Sequence, residues 1–180
     1  VHTTDEQLVK LLQAGEASAF ALLYGKYRSP LYGYCYRLLQ DEQLAEDAVH
    51  DTLLKIWSAI ATLERAALFR AWMFQIARNE VLQHLRRLHR NGQIDTEKVW
   101  EEETPFEQYE RLETKELVQS ALRMLRPEYR EVLILREYEQ FSYAEIAAIT
   151  GTTESSVKSR IFKARKELLK KLEPYFEKAR

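Results

Sequence analysis

Ser155, Lys158, Ser159, Phe162, Lys163 and Lys166 recur at helical spacing near the C-terminal end, on a face that carries cations, hydroxyls and a ring but almost no carboxylate. Ammonium groups suit phosphate oxygens, while short hydroxyls and a planar ring suit base edges. This is the chemistry of a helix laid in the major groove of duplex DNA. Arg160 and Arg165 flank the face, where guanidinium groups could hold phosphates. A solvated helix face can look the same, so the neighbouring elements must decide.

Those elements agree with the groove reading. Ser142 followed by Glu145 forms a capping box ahead of the apolar Ile146, Ala147 and Ile149. Gly151 stands where a sharp turn needs positive φ. Thr153 can then cap a second helix, in which Val157, Ile161, Ala164 and Leu168 form the buried stripe. The small Ala147 lets the two helices approach. The stretch from Ser142 to Leu168 therefore reads as a helix-turn-helix.

Two further stretches could carry chemistry. A helix opening at Asp41 or Glu42 and running to about Ile60 buries Val49, Leu53, Ile56 and Ile60. It leaves Glu46, Asp47, His50, Asp51, Leu54, Lys55 and Trp57 uncommitted, a mixture that suits a protein-docking surface or a solvated face with Trp57 turned inward. His50 with Asp47 and Asp51 falls short of a metal site. After the connector ATLERAAL, a helix from Phe69 draws its core from Phe69, Met73, Ile76, Val81 and Leu85 and turns Arg78, Asn79, His84, Arg86, Arg87 and Arg90 outward. Arginines interleaved with aromatics beside a loop suit single-stranded DNA, with rings on bases and guanidinium groups on phosphates. A buried aromatic core with a basic solvated end would give the same pattern.

Earlier still, residues 4–14 read as a short helix with Leu8, Leu11 and Leu12 inside. Phe20, Tyr24, Tyr27, Leu31, Tyr34 and Leu38 form the stripe of a longer helix that Pro30 should kink or restart. Near the other end, Pro127 suits the first turn of a helix bearing Val132, Leu133 and Leu135, and the last helix is expected to stop around Pro174. With 46% hydrophobic and 31% charged residues, only five Gly and four Pro, and no strand-like alternation, the 180-residue chain is expected to be globular and all-α. No apolar run is long enough to span a bilayer and no signal-peptide pattern opens the sequence, so a cytoplasmic protein is expected. The single Cys35, set among Tyr32, Tyr34 and Tyr36, reads as a buried apolar residue. No phosphate-cradling glycine loop, zinc spacing or nucleophile motif is present, so neither a cofactor nor catalysis is expected.

Charge divides the chain. Residues 1–94 hold 11 Lys and Arg against 10 Asp and Glu, 95–116 hold 3 against 9, and 117–180 hold 13 against 9. Two small helical domains, 1–90 and 114–180, are expected on either side of an acidic linker over 91–113, the second a four-helix domain ending in the helix-turn-helix.

Four segments in order, LAEDAVHDTLLKIW, FRAWMFQIARNEVLQHLRR, RPEYREVLILREYEQFSYAEIAAITG and SSVKSRIFKARKEL, resemble the signature segments of the extracytoplasmic-function (ECF) sigma factors of bacterial RNA polymerase. The resemblance spans nearly the whole chain and implies an alternative-sigma initiation factor, not an enzyme. Its first domain would be sigma region 2 and its last domain region 4.

The same resemblance assigns residues. Asp47, His50, Asp51, Leu54 and Trp57 would dock on the coiled coil of the polymerase's largest subunit, His50 standing where relatives commonly carry glutamine. Leu63, Arg65, Arg78, Asn79, Arg86 and Arg87 would meet the −10 element, with Leu63 and Asn79 lining a pocket for a flipped base. Ser155, Lys158, Ser159, Arg160, Phe162, Lys163 and Arg165 would read the −35 duplex. Region 4 would also meet the flap of the second-largest subunit. An anti-sigma factor, in some systems membrane-anchored, would hold the protein inactive, with no membrane insertion of its own. The rival readings are a helix-turn-helix regulator that binds duplex DNA without polymerase and a helical adaptor that binds only protein.

Overall fold

Thr4 starts the first helix, α1 (Asp5–Gln13): its hydroxyl accepts the Gln7 amide, and the Gln7 side chain accepts the Thr4 amide in return. The computed structural model describes residues 3–91 and 114–178, so the expected linker lies, from residue 92, outside the described residues. Leu8, Val9 and Leu12 are the buried side of α1; Leu11, expected inside, is largely exposed. α2 (Ala17–Leu39) runs through Pro30 as one helix. It ends at Gln40, whose φ of 57° is the left-handed cap usually left to glycine. Its stripe is buried at Leu23, Tyr27, Leu31 and Tyr34, while Tyr24 stays exposed.

Asp41 caps α3 (Glu42–Ala59) by accepting the Leu44 amide. Two single 3-10 turns, Ile60–Thr62 and Ala66–Leu68, then lead into α4 (Phe69–Arg90). Helices α2, α3 and α4 pack on one another, with α1 against α2 and the two turns. Within this bundle Tyr27 meets Phe69 edge-on, and Cys35 is fully buried, its thiol pushed up to about 12 by desolvation.

The second unit comprises α5 (Thr114–Arg123), α6 (Pro127–Leu133), a wide π-helical turn over Ile134–Tyr138, α7 (Tyr143–Thr150) and α8 (Glu154–Lys178). Pro127 opens α6 as expected. The buried Arg130 donates to the Arg123 and Leu125 carbonyls, satisfying the end of α5, and desolvation lowers its guanidinium to about 10. α8 continues past Pro174 to Lys178, beyond the expected stop. No strand occurs among the described residues, and the fold is all-α.

The two units touch. α4 packs on α7, and α2 reaches α6 and the π-helical turn.

Candidate nucleic-acid and polymerase interface

The helix-turn-helix forms as its sequence requires. Ser142 and Glu145 make the reciprocal capping bonds, Gly151 takes φ 66°, and the Thr153 hydroxyl accepts the Ser156 amide. Val157, Ile161 and Ala164 are buried, with Leu168 half-buried at the edge of the same stripe. Burying that stripe leaves Ser155, Lys158, Ser159, Phe162 and Lys163 on the open side of α8. Phe162 is 72% exposed, so its ring contributes almost nothing to this core. Beside it Ser155, Ser159, Arg160 and Lys163 line a hollow with Thr153, Glu128 and Tyr129. Arg165 turns toward the neighbouring carboxylate of Glu137, at 2.5 and 3.2 Å, a bond that raises its pKa. It would have to leave that partner to hold a phosphate.

On α3, Asp47, His50, Leu54 and Trp57 are exposed and Asp51 half-exposed, so the five expected docking residues share one stripe. Trp57 stays 48% exposed while its ring meets Phe20 edge-on at 5.1 Å. That rules out an inward-turned Trp57. Phe20 and Tyr24 extend the aromatic surface onto α2. Behind it, Lys55 reaches the buried Glu80 at 2.5 Å and ties α3 to α4.

The expected −10 residues fall into two groups. Arg65, Asn79, Arg86 and Arg87 are exposed. Leu63 is buried at 8% exposure, so its side chain packs inward, while Ala61, Thr62, Glu64, Arg65, Ala67 and Leu68 of the same connector are exposed. Arg78 is occupied: its Nε donates to Glu131 at 2.8 Å, and the fully buried Tyr34 hydroxyl donates to the same carboxylate oxygen at 3.1 Å. His84, expected outward, is buried.

Arg78 and Tyr34 were named in the sequence but not as joining the halves, and the other side chains that join them were not singled out. Arg70 donates to the Glu139 carbonyl and carboxylate and lies 4.0 Å over the Phe141 ring, while Phe141 meets Phe74 edge-on. Arg37 stacks 4.0 Å over Tyr138. Desolvation raises the Glu139 pKa against the opposing pull of Arg70 and Arg37. One signal was available: Glu131 stands directly before the apolar run Val132 to Leu135, one helical turn from Ile134 and Leu135 and so on the side that helical spacing places inside.

Comparison with known proteins gives this geometry a family. Residues 23–91 match sigma-70 region 2 and residues 115–168 match sigma-70 region 4. The chain is 30% identical to the RNA polymerase sigma-H factor of Pseudomonas aeruginosa, over 97% of each chain. It is 36% identical to the ECF RNA polymerase sigma factor SigL of Mycobacterium tuberculosis, over 82% of this chain and 85% of that one. Among solved structures it resembles CnrH in complex with the cytosolic domain of CnrY, with TM-score 0.72 and 25% identity over 94% and 97% of the two chains. It also resembles the sigma factor RpoE bound to the anti-sigma factor NepR of Bartonella quintana, with TM-score 0.70 and 33% identity over 86% and 96%. With the two matched regions in their family order and the relatives covered over most of their length, this chain belongs to the ECF sigma factors of the sigma-70 family and is an alternative-sigma transcription initiation factor.

Proposed function

We propose that the exposed surfaces divide the work of initiation among themselves. The α3 stripe of Asp47, His50, Asp51, Leu54 and Trp57 docks on the coiled coil of the largest polymerase subunit. The exposed aromatic and leucine supply desolvated anchors, and the carboxylates set the orientation. Arg65, Asn79, Arg86 and Arg87 contact the melted −10 strand, with Arg78 joining once Glu131 releases it. The connector between α3 and α4 receives a base flipped from that strand, with Leu63 forming its floor from within. Unstacking a base costs a few kcal/mol, which arginine–phosphate contacts and polymerase binding offset.

On α8, Lys158, Lys163 and Arg160 hold the −35 duplex while Ser155, Ser159 and Phe162 face base edges. Arg165 adds a phosphate contact when it leaves Glu137. The observation that carries this part is Phe162, a ring left 72% exposed in the centre of a basic face. On the other side of α8, Val118, Leu122, Leu133, Tyr138, Leu168 and Leu169 line an apolar groove. It suits an apolar helix such as one from the flap of the second-largest subunit.

An anti-sigma factor covers some of these surfaces when the protein is idle. The supporting observation is that both similar structures are complexes, one with a named anti-sigma factor. Among the described residues no helix is long and apolar enough to cross a membrane, and a membrane-anchored anti-sigma factor would hold the protein at the inner membrane. No catalysis is assigned to the chain, and no cofactor. Co-elution of Trp57→Ala, Leu54→Ala and the unmodified chain with core polymerase tests the docking surface. Loss of co-elution in both variants is expected, and full retention would overturn it.

A further inference from the structure

Gln13, the last residue of α1, directs its carboxamide into the loop between α3 and α4. Its Nε2 donates to the Ile60 carbonyl at 3.0 Å and to the Leu63 carbonyl at 2.8 Å. These carbonyls bracket a single 3-10 turn, which the Leu63 amide closes onto Ile60 at 3.1 Å. Both hydrogens of one neutral amide are therefore used on one turn, from a residue about fifty positions away in sequence. A carboxylate has no hydrogens to give and would repel both carbonyls. α1 itself packs on both 3-10 turns. With the Leu63 side chain buried and its carbonyl held, the extended backbone at Leu63 is fixed, and so is the place from which Glu64 and Arg65 project.

We infer that Gln13 is a positioning residue for base capture at the −10 element, acting through the Ile60–Leu63 turn. The inference rests on the reading of that connector as the site of the flipped base. It extends the promoter-melting apparatus to α1, which lies ahead of the residues that match sigma-70 region 2. A loop that is ordered before the base arrives has less conformational freedom to lose when it closes on that base. Both amide hydrogens of Gln13 are spent on the turn, so it acts on the base through the loop. Its effect is therefore specific to the base that the loop receives, whereas general loss of stability would weaken every promoter alike.

The test uses the full chain assembled with core polymerase, and two variants, Gln13→Glu and Gln13→Met. Both keep the side-chain length and lose the donors, and the second adds no charge. Gln13 is exposed as a residue, so both variants are expected to fold, which thermal unfolding verifies. Open-complex formation is measured on an intact promoter and on a set in which each −10 base of the non-template strand is replaced, one at a time, by an abasic site. Loss of two modest hydrogen bonds predicts roughly tenfold slower open-complex formation by both variants on the intact promoter. Association with core polymerase and contact with the −35 element stay unchanged. On the template abasic at the captured position, the gap between variant and unmodified protein closes, because no base remains to be positioned.

Variants as active as the unmodified protein on the intact promoter would overturn the inference, and so would a defect of equal size on every template. If the unmodified protein initiates specifically but responds to no single abasic position, base capture by this loop is itself wrong. If it initiates nowhere, the fault lies with the assignment of the whole surface.

Discussion

At the scale of single residues, exposure separates side chains that serve the fold from those that await a partner. Phe162→Ala should leave stability within about 0.5 kcal/mol, because the ring contacts little of its own protein. The same change should weaken −35 contact by the holoenzyme roughly tenfold, as loss of an apolar contact to a base edge does. Parallel thermal melts and footprints check both; a large drop in melting temperature with normal footprints would contradict the assignment. Arg78 is the opposite case. Its type and place on α4 pointed to DNA, but only the folded chain shows that Glu131 holds it. Leu63 was legible as part of the loop, yet not as buried, because a connector offers no periodicity from which to read its inner side. His84 was read as outward for a different reason: the buried stripe of α4 is wider than its apolar residues alone suggest, also taking in Glu80.

At the scale of elements, local rules were sufficient where capping and turn chemistry are explicit. Ser142, Glu145, Gly151 and Thr153 each perform the role their identity implies. Gly151→Ala isolates one of them: nothing lies within 4 Å of an added Cβ, so the penalty comes from φ 66° alone. A destabilisation of about 1–2 kcal/mol is expected, read by chemical denaturation; an unchanged midpoint would mean the turn relaxes without strain. Prolines were less decisive. Pro30 was expected to kink or restart a helix and Pro174 to end one; α2 runs through Pro30 without a restart, and α8 continues past Pro174. Tertiary packing of a long apolar face outweighs one missing backbone bond in α2, where Tyr27, Leu31 and Tyr34 are buried on either side of Pro30.

For the whole molecule, the composition and the four segments in order made the all-α fold and two regions legible, but not the packing of one region on the other. That packing depends on residues distant in sequence, Tyr34 and Arg78 with Glu131, and Arg70 with Glu139 and Phe141. A compact chain of this length is about 40 Å across. Promoter elements centred near −10 and −35 lie about 85 Å apart at the rise of duplex DNA. For one chain to engage both, as proposed, the halves must part. Glu131→Ala leaves Arg78 and the Tyr34 hydroxyl without their shared partner and should weaken the closed arrangement by about 3 kcal/mol. Fluorescence transfer between dyes at Ser29 and Ser155 should fall in this variant and fall further when core polymerase is added; unchanged transfer in both would contradict the expectation. Acidity acts in a definite direction on the stability of the folded chain through one residue of this seam. Burial raises the Glu139 pKa, so the folded chain binds that proton more tightly than the unfolded chain. The resulting penalty is present above the raised pKa and relieved as pH falls through it. Mild acid should therefore favour the folded state through this residue, and Glu139→Gln should remove that part of the pH dependence of the chemical-denaturation midpoint. The most direct test of the account is transcription of genomic DNA by core polymerase with and without this protein, mapping the 5′ ends. Starts that share upstream −10 and −35 sequences and vanish without the protein are the predicted result. No new starts and no co-elution with core polymerase would contradict it.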